Sequence, residues 1–342
     1  MRSLHQEDTG DFINPETGHK RYSALALSGG GSHGAFGAGF LYGWSKKGDR
    51  PSFKLVTGIS TGALIAPFAF LGSSHDEQLR QVYTTVDTES IIKKLSLFRI
   101  LTESESFTSS GPLQRLIRGN IDRNLLKDIS RVHQEGRRLY IGTTHMDAQQ
   151  LVVWNMGLIA ELDTPEALEL FQNILLASAS IPTAMPPVFF SVEVDGEVYD
   201  EMHTDGGTIT QVFFHGGTMD LGRAGEEAGI QIENGAIGTL YVIRNGELDA
   251  TPEQVPRNIK EISSKAMDTM IKTAALNNLF RMYVFAERDK SELLYVDIPR
   301  DFVSKAKEPF DVEEMNKLFD IGMKMGMSHD PWSRTIPVAA EN

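Results

Sequence analysis

Short apolar runs alternate with longer stretches of helical spacing in the first part of the chain. Tyr22–Leu27 is mostly apolar and bounded by glycines, which predicts a buried strand. An apolar, small-residue run from about Ala35 to Trp44 predicts a helix. Gly48, Asp49, Pro51 and Ser52 form a return loop. Phe53–Val56 predicts a second strand, and Ala63–Ala66 opens a second helix. Strand, helix, strand, helix implies a parallel sheet covered on both faces. Residues 73–135 are polar and helical in spacing, broken near Gly111-Pro112 and Gly119-Asn120. Arg138–Thr144 and Leu151–Trp154 predict strands joined near Asp147. Thr164–Ala179 predicts a helix with Pro165 at its first position. Val188–Val194 and Glu197–Tyr199 flank Asp195-Gly196, a hairpin signal. Gly216–Gly235 is glycine-rich and acidic and reads as a surface excursion. Thr239–Ile243 and Leu293–Ile298 predict strands. Pro256–Glu287 predicts one long helix or a broken pair, and Asp311–Met327 a last helix whose methionines fill core. Ile91–Leu101 mixes apolar and basic residues. It reads as a core-facing helix, with a lid or lipid-touching helix as the alternative. The organisation expected is a flexible arm over residues 1–20, one α/β domain over 21–330 and a tail over 331–342.

Composition narrows the function. The chain has 342 residues, of which 41% are hydrophobic, enough for a large core. Its formal net charge of −13 argues against nucleic acid as a partner. With no cysteine, thiol catalysis and disulfides are excluded. No apolar run is long enough to span a bilayer, and Met1–Lys20 lacks the apolar core of a signal peptide. The chain as given is expected to be soluble, in the cytoplasm or, with a leader removed, in a bacterial envelope.

The chemistry concentrates in Thr57-Gly58-Ile59-Ser60-Thr61-Gly62. A serine on a sharp strand-to-helix turn, with glycine two positions before and after, fits a nucleophile elbow. The strained turn exposes the hydroxyl, while Gly58 and Gly62 let neighbouring chain pass close. Acyl transfer also needs a base and oxyanion donors. Gly29-Gly30-Gly31, between a strand and a helix, offers backbone N–H groups unshielded by side chains. The rival reading of Gly29-x-Gly31-x-x-Gly34 is a dinucleotide fingerprint. It would want an acidic residue ending the second strand, where Val56-Thr57-Gly58 stands instead. The base is open between two candidates. His203, two residues before Asp205, would serve a Ser-His-Asp triad. Asp205, followed by Gly206 and Gly207, would accept the serine proton directly. His33, His145 and His215 stand in stretches that demand no catalysis.

Together, Gly29-Gly30-Gly31-Ser32-His33-Gly34, Gly58-Ile59-Ser60-Thr61-Gly62 and Asp205-Gly206-Gly207 resemble the motifs of the patatin-like phospholipase family. Ala177–Pro182 and Pro186-Pro187 are similar to the segment that precedes the family's Asp motif. The resemblance spans roughly residues 22–245. It implies a three-layer α/β/α fold with a mostly parallel central sheet, and hydrolysis of lipid acyl esters. It further implies a catalytic dyad of Ser60 and Asp205, and an oxyanion hole of Gly29, Gly30 and Gly31. Neither cofactor nor metal is expected. The expected partners are a lipid or ester substrate and transient contact with a membrane surface. A non-catalytic lipid-binding scaffold of the same fold is the remaining alternative. One departure stands out: the family usually has Lys or Arg before the last glycine of its first motif, and here that place is His33.

Overall fold

The computed structural model describes residues 6, 12–14, 17–91, 93–94, 108–214, 232–248 and 254–336. The first half of the chain runs β1 (Lys20–Leu27), α1 (Gly34–Lys47), β2 (Leu55–Gly58), α2 (Thr61–Leu71), α3 (Asp76–Thr85), α4 (Thr88–Ile91), β3 (Lys93–Lys94), β4 (Thr108–Ser109), α5 (Gly111–Asn120) and α6 (Arg123–Gln134). Then come β5 (Arg138–His145), β6 (Gln150–Asn155), α7 (Met156–Ala160), α8 (Pro165–Ser178), β7 (Val188–Val194) and β8 (Glu197–Asp205). The chain closes with β9 (Ile232–Ile243), α9 (Ile259–Arg288), β10 (Glu292–Val296) and α10 (Val312–Met327). Local chemistry sets several boundaries. The side chains of Asp122, Thr164, Asn258 and Asp311 each accept an N–H in the first turn of the helix they precede. Gly48 ends α1 in the left-handed conformation. Asp195 and Gly196 both have positive φ (55° and 84°), as the tight hairpin between β7 and β8 requires.

The main sheet runs β10-β9-β1-β2-β5-β8-β7, with β6 also paired to β5. Strands β10, β9, β1, β2 and β5 are parallel, and β8, β7 and β6 are antiparallel additions. Side-chain alternation on β1 defines the layers. Leu25 and Leu27 join the core formed with α1, α2 and α10. Ala24 and Ala26 face a second core with Leu240, Val242, Ala275, Leu279 and Met282, so α9 covers the other side. The fold is thus the expected α/β/α sandwich around a mostly parallel sheet. Helices α1 and α10 meet backbone to backbone. A Cβ at Gly39 or Gly43 would lie 2.0 or 2.1 Å from the carbonyls of Phe319 or Met323. One at Gly322 or Gly326 would lie 2.1 or 2.3 Å from those of Phe36 or Phe40.

β5 brings the distant motifs together. One edge pairs with β6 from Tyr140 to His145. The other edge pairs first with β2, ending at Ile141↔Gly58, and then with β8, starting at Thr143↔Asp205. The strand that stops at the serine turn is therefore replaced, two residues along, by the strand that ends in Asp205. That step is about 7 Å.

Some boundaries differ from expectation. β8 continues past Tyr199 to Asp205: it pairs with β7 over Glu197–His203, exposed in its first half, and with β5 over His203–Asp205; the mostly polar run Asp200–Thr204 hid this. Phe53 is core, but the strand begins at Leu55. Trp332 and Ser333, expected in a tail, are anchored. Trp332 packs on Phe40, Trp44 and Tyr241, and Ser333 pairs with Tyr295. Most of the Ile91–Leu101 stretch and of the Gly216–Gly235 excursion lies outside the described residues. Among the described residues, no helix is long and apolar enough to cross a membrane.

Candidate active site

Ser60 sits between β2 and α2 with φ 54° and ψ −125°, a conformation that costs a non-glycine residue energy. Three features hold it there. A Cβ at Gly58 would come within 2.5 Å of the Gly62 carbonyl, and one at Gly62 within 2.4 Å of the Leu27 carbonyl. The Ser60 N–H donates to Ser178 Oγ (3.1 Å), whose hydroxyl donates to the Gly142 carbonyl (2.7 Å). The Ser60 carbonyl accepts from Ala63 N–H (2.9 Å), locking the serine to the start of α2. Its side chain therefore stands at the positive end of a helix.

Asp205 is fixed at the end of β8. Its N–H donates to the Ser180 carbonyl (2.8 Å), and its carbonyl accepts the Thr144 hydroxyl (3.0 Å). One carboxylate oxygen accepts Gly207 N–H (2.7 Å), and the carboxyl is hydrogen-bonded to the Ser60 side chain. A Cβ at Gly206 would lie 2.6 Å from the Gly142 carbonyl, so glycine is required there. Burial pushes the Asp205 carboxyl up to about 6, against the lowering effect of these two hydrogen bonds. A carboxylate with that affinity for protons is matched to general-base work near neutrality.

The structure thus brings Ser60 and Asp205 together. It does not bring His203 to Ser60. One nitrogen of His203 is bonded to Thr143 Oγ1 (2.8 Å), and the other faces Glu201 (3.2 Å). His33 lies beside Phe302, with burial holding its imidazole below the usual histidine range.

The first glycine motif lies against the serine. A Cβ on Gly29 would be 3.2 Å from the Cβ of Ser60. The expectation that Gly29, Gly30 and Gly31 all present N–H groups needs one correction. Gly29 N–H is committed to the Gln211 carbonyl (2.9 Å), because this residue anchors the loop against the segment after β8. Among the described residues, the N–H groups of Gly30 and Gly31 have no partner. Gly30 has φ 156°, and a Cβ there would collide with the Asn245 carbonyl at 1.8 Å. Gly31 has φ 57°.

Residues that the sequence reading missed hold this loop. Arg244, just beyond β9, is buried, and its Nη1 donates to the Gly29 carbonyl (3.1 Å) and to Ser28 Oγ (3.2 Å). The Ser28 hydroxyl donates to the Gly29 carbonyl (2.7 Å). Asn245 donates from its N–H to Ser28 Oγ and from Nδ2 to the Ser28 carbonyl, both at 2.8 Å. Burial lowers the Arg244 guanidinium to about 10, which leaves it charged near neutrality. A cation therefore does stand beside the glycine loop, supplied by Arg244 rather than from position 33. The only trace in the sequence was Arg244-Asn245-Gly246 after a strand, which reads as a turn.

The sequence pattern of the patatin-like phospholipase family matches residues 25–215. The chain belongs to that family, as its three motifs led one to expect. Uncharacterized protein R571 of Acanthamoeba polyphaga mimivirus is 28% identical over 180 residues, 51% of this chain and 56% of that protein. The chain thus spans about half the length of this curated relative. Among solved structures, VipD from Legionella pneumophila aligns with a TM-score of 0.43 at 11% identity, over 90% of this chain and 66% of that one.

Proposed function

We propose that residues 21–330 form one hydrolase domain that cleaves carboxyl esters of lipids through a Ser60–Asp205 dyad and an acyl-enzyme. The observation that carries this reading is the strained Ser60 side chain lying close enough to the buried Asp205 carboxyl to lower its proton affinity. Asp205 takes the hydroxyl proton as Ser60 Oγ attacks the ester carbonyl. The tetrahedral oxyanion is held by the N–H groups of Gly30 and Gly31, with the positive end of α2 nearby. A trans peptide points its carbonyl and the next N–H in opposite directions. Arg244, by holding the Gly29 carbonyl, therefore turns Gly30 N–H away from itself and toward the oxyanion. Asp205 returns its proton to the departing alkoxide. It then takes a proton from the water that attacks the acyl-serine and gives it to Ser60 Oγ as the carboxylic acid leaves, which restores both groups.

Exposed Ile181 and Ile209 flank the segments that hold Asp205, and they offer an apolar edge to an acyl chain or a membrane surface. The test uses purified Ser60→Ala and Asp205→Asn, p-nitrophenyl butyrate, a phospholipid panel and a fluorophosphonate probe. Both variants are expected to lose nearly all hydrolysis, and the probe to label Ser60 in the wild type. Turnover at wild-type rate in either folded variant refutes the dyad. A wild-type Ser60 that resists labelling favours the non-catalytic scaffold.

A further inference from the structure

On the sheet edge beyond Asp205, a second group of chemically active side chains takes no part in the reaction above. His145 on β5 and His203 on β8 are directly opposed cross-strand partners. Glu201, two residues before His203, projects from the same face of β8. The two imidazoles stack with ring centres 5.1 Å apart and planes 8° from parallel. One donor atom from each of the three residues lies within 4.8 Å of the other two. Glu201 Oε2 is 3.2 Å from His203 Nε2 and 4.0 Å from His145 Nδ1.

We propose that His145, Glu201 and His203 form a binding site for a borderline divalent cation, zinc above all. Two imidazoles and one carboxylate are the donor set zinc takes when it keeps one coordination position open. Tetrahedral bonds of about 2.0–2.1 Å place ligand atoms about 3.3 Å apart, so the His203–Glu201 separation is already that of a bound pair. Only His145, at the solvent-facing side, has to turn its ring out of the stack and close in by up to about 1.5 Å to match the same geometry. Asp147, whose carboxylate is 3.7 Å from the other nitrogen of His145, Nε2, stands behind that ring where it can orient it, and water completes the shell.

The surroundings suit a ligand histidine. His203 is fully buried, and its Nδ1 is held 2.8 Å from Thr143 Oγ1, which in turn accepts the Trp154 indole N–H at 2.7 Å. Such a hydrogen bond orients the ring and leaves Nε2 directed at the carboxylate. Phe190 meets the imidazole edge-on and shields one side. His145 and Glu201 are partly exposed, which gives an ion a way in. The ion would rivet β5 to β8 two residues before Asp205, without contact with Ser60.

The test uses the full chain freed of metal by a chelator that is then removed. Zn²⁺ is titrated by calorimetry, Co²⁺ by visible absorption, and thermal unfolding is followed with and without Zn²⁺. The wild type is expected to bind one equivalent of zinc, to develop the absorption of low-coordinate cobalt, and to melt higher with zinc present. His145→Ala and Glu201→Gln change partly exposed side chains, so both variants should fold; His203 is left in place because it is packed in the core. Loss of an orienting partner alone costs a metal site about 10–100-fold, so each variant should weaken zinc by about tenfold or more, and the double variant should abolish the effect on melting. Wild-type protein without zinc binding overturns the proposal. So does binding that survives unchanged in the double variant, which marks an adventitious ion only. Neither result bears on Ser60, whose chemistry is read separately.

Discussion

Replacing Arg244 by methionine separates the holding of the glycine loop from the dyad itself. The change keeps much of the side-chain length but removes the donors to the Gly29 carbonyl and to Ser28 Oγ. A hydrogen bond from a charged donor contributes about 1.5–3 kcal/mol, so the loop loses a restraint of that size. The Ser28 hydroxyl still reaches the Gly29 carbonyl, so the loop loosens rather than unfolds. If the Gly29–Gly30 peptide is then free to turn, one oxyanion donor is lost. Such a loss costs about 3–4 kcal/mol, or about 10²–10³ in kcat. KM should change little, because the carbonyl becomes an oxyanion only in the transition state. Stability should fall by less than the catalytic term. A buried cation is costly to desolvate, and an apolar replacement offsets part of what its hydrogen bonds contributed, although Asp297 loses a favourable charge. Arg244→Lys keeps the charge without the planar fork and should fall between the two. The assay is steady-state hydrolysis of p-nitrophenyl butyrate, with thermal unfolding as the control for folding. An Arg244→Met protein that melts like the wild type and turns over within a factor of about two refutes the assignment of this residue to the oxyanion loop.

In chelator, so that no ion occupies the neighbouring histidines, kcat/KM should rise with pH through about 6 and level off above it, as Asp205 loses its proton; a flat profile from pH 5 to 8 would contradict a carboxylate base. The same burial makes Asp205 a stability cost. Its folded value lies above the ordinary one, so stability present at low pH is lost as pH rises through about 6, by up to about 3 kcal/mol. Asp205→Asn should therefore be inactive yet more stable than the wild type at pH 7, with the gap closing toward pH 4; equal melting at both pH values would show the carboxyl is not strained. Gly62→Ala places a Cβ 2.4 Å and 2.6 Å from the carbonyls of Leu27 and Ser28. It should cost about 1–3 kcal/mol by overpacking and lower activity by shifting the glycine loop, which melting curves and the same ester assay read.

How much was legible depended on whether the signal was local. The serine turn announced itself because Gly58, Ser60 and Gly62 solve a steric problem within five residues. Asp195-Gly196 was readable for the same reason, since two positive φ values in a row need such a pair. The separation of Ser60 from Asp205 was bridged only by the family resemblance. Their actual meeting depends on β5 pairing first with β2 and then with β8. Arg244 and Asn245 were missed because their role exists only through the parallel pairing of β9 with β1, which no local pattern encodes. Gly29 was assigned an oxyanion-donor role, but its N–H is donated to the Gln211 carbonyl instead. The His145–Glu201–His203 group was invisible because opposed positions on two strands become neighbours only once the register is set.

The family pattern ends at residue 215, but β1 finds its second neighbour only at β9, and α1 finds its backbone-tight partner only at α10. On the ribosome, the serine turn and its carboxylate are synthesised well before the arginine and asparagine that grip the loop beside them. The loop beside Ser60 is thereby left without its two holders until β9 has been made and paired with β1.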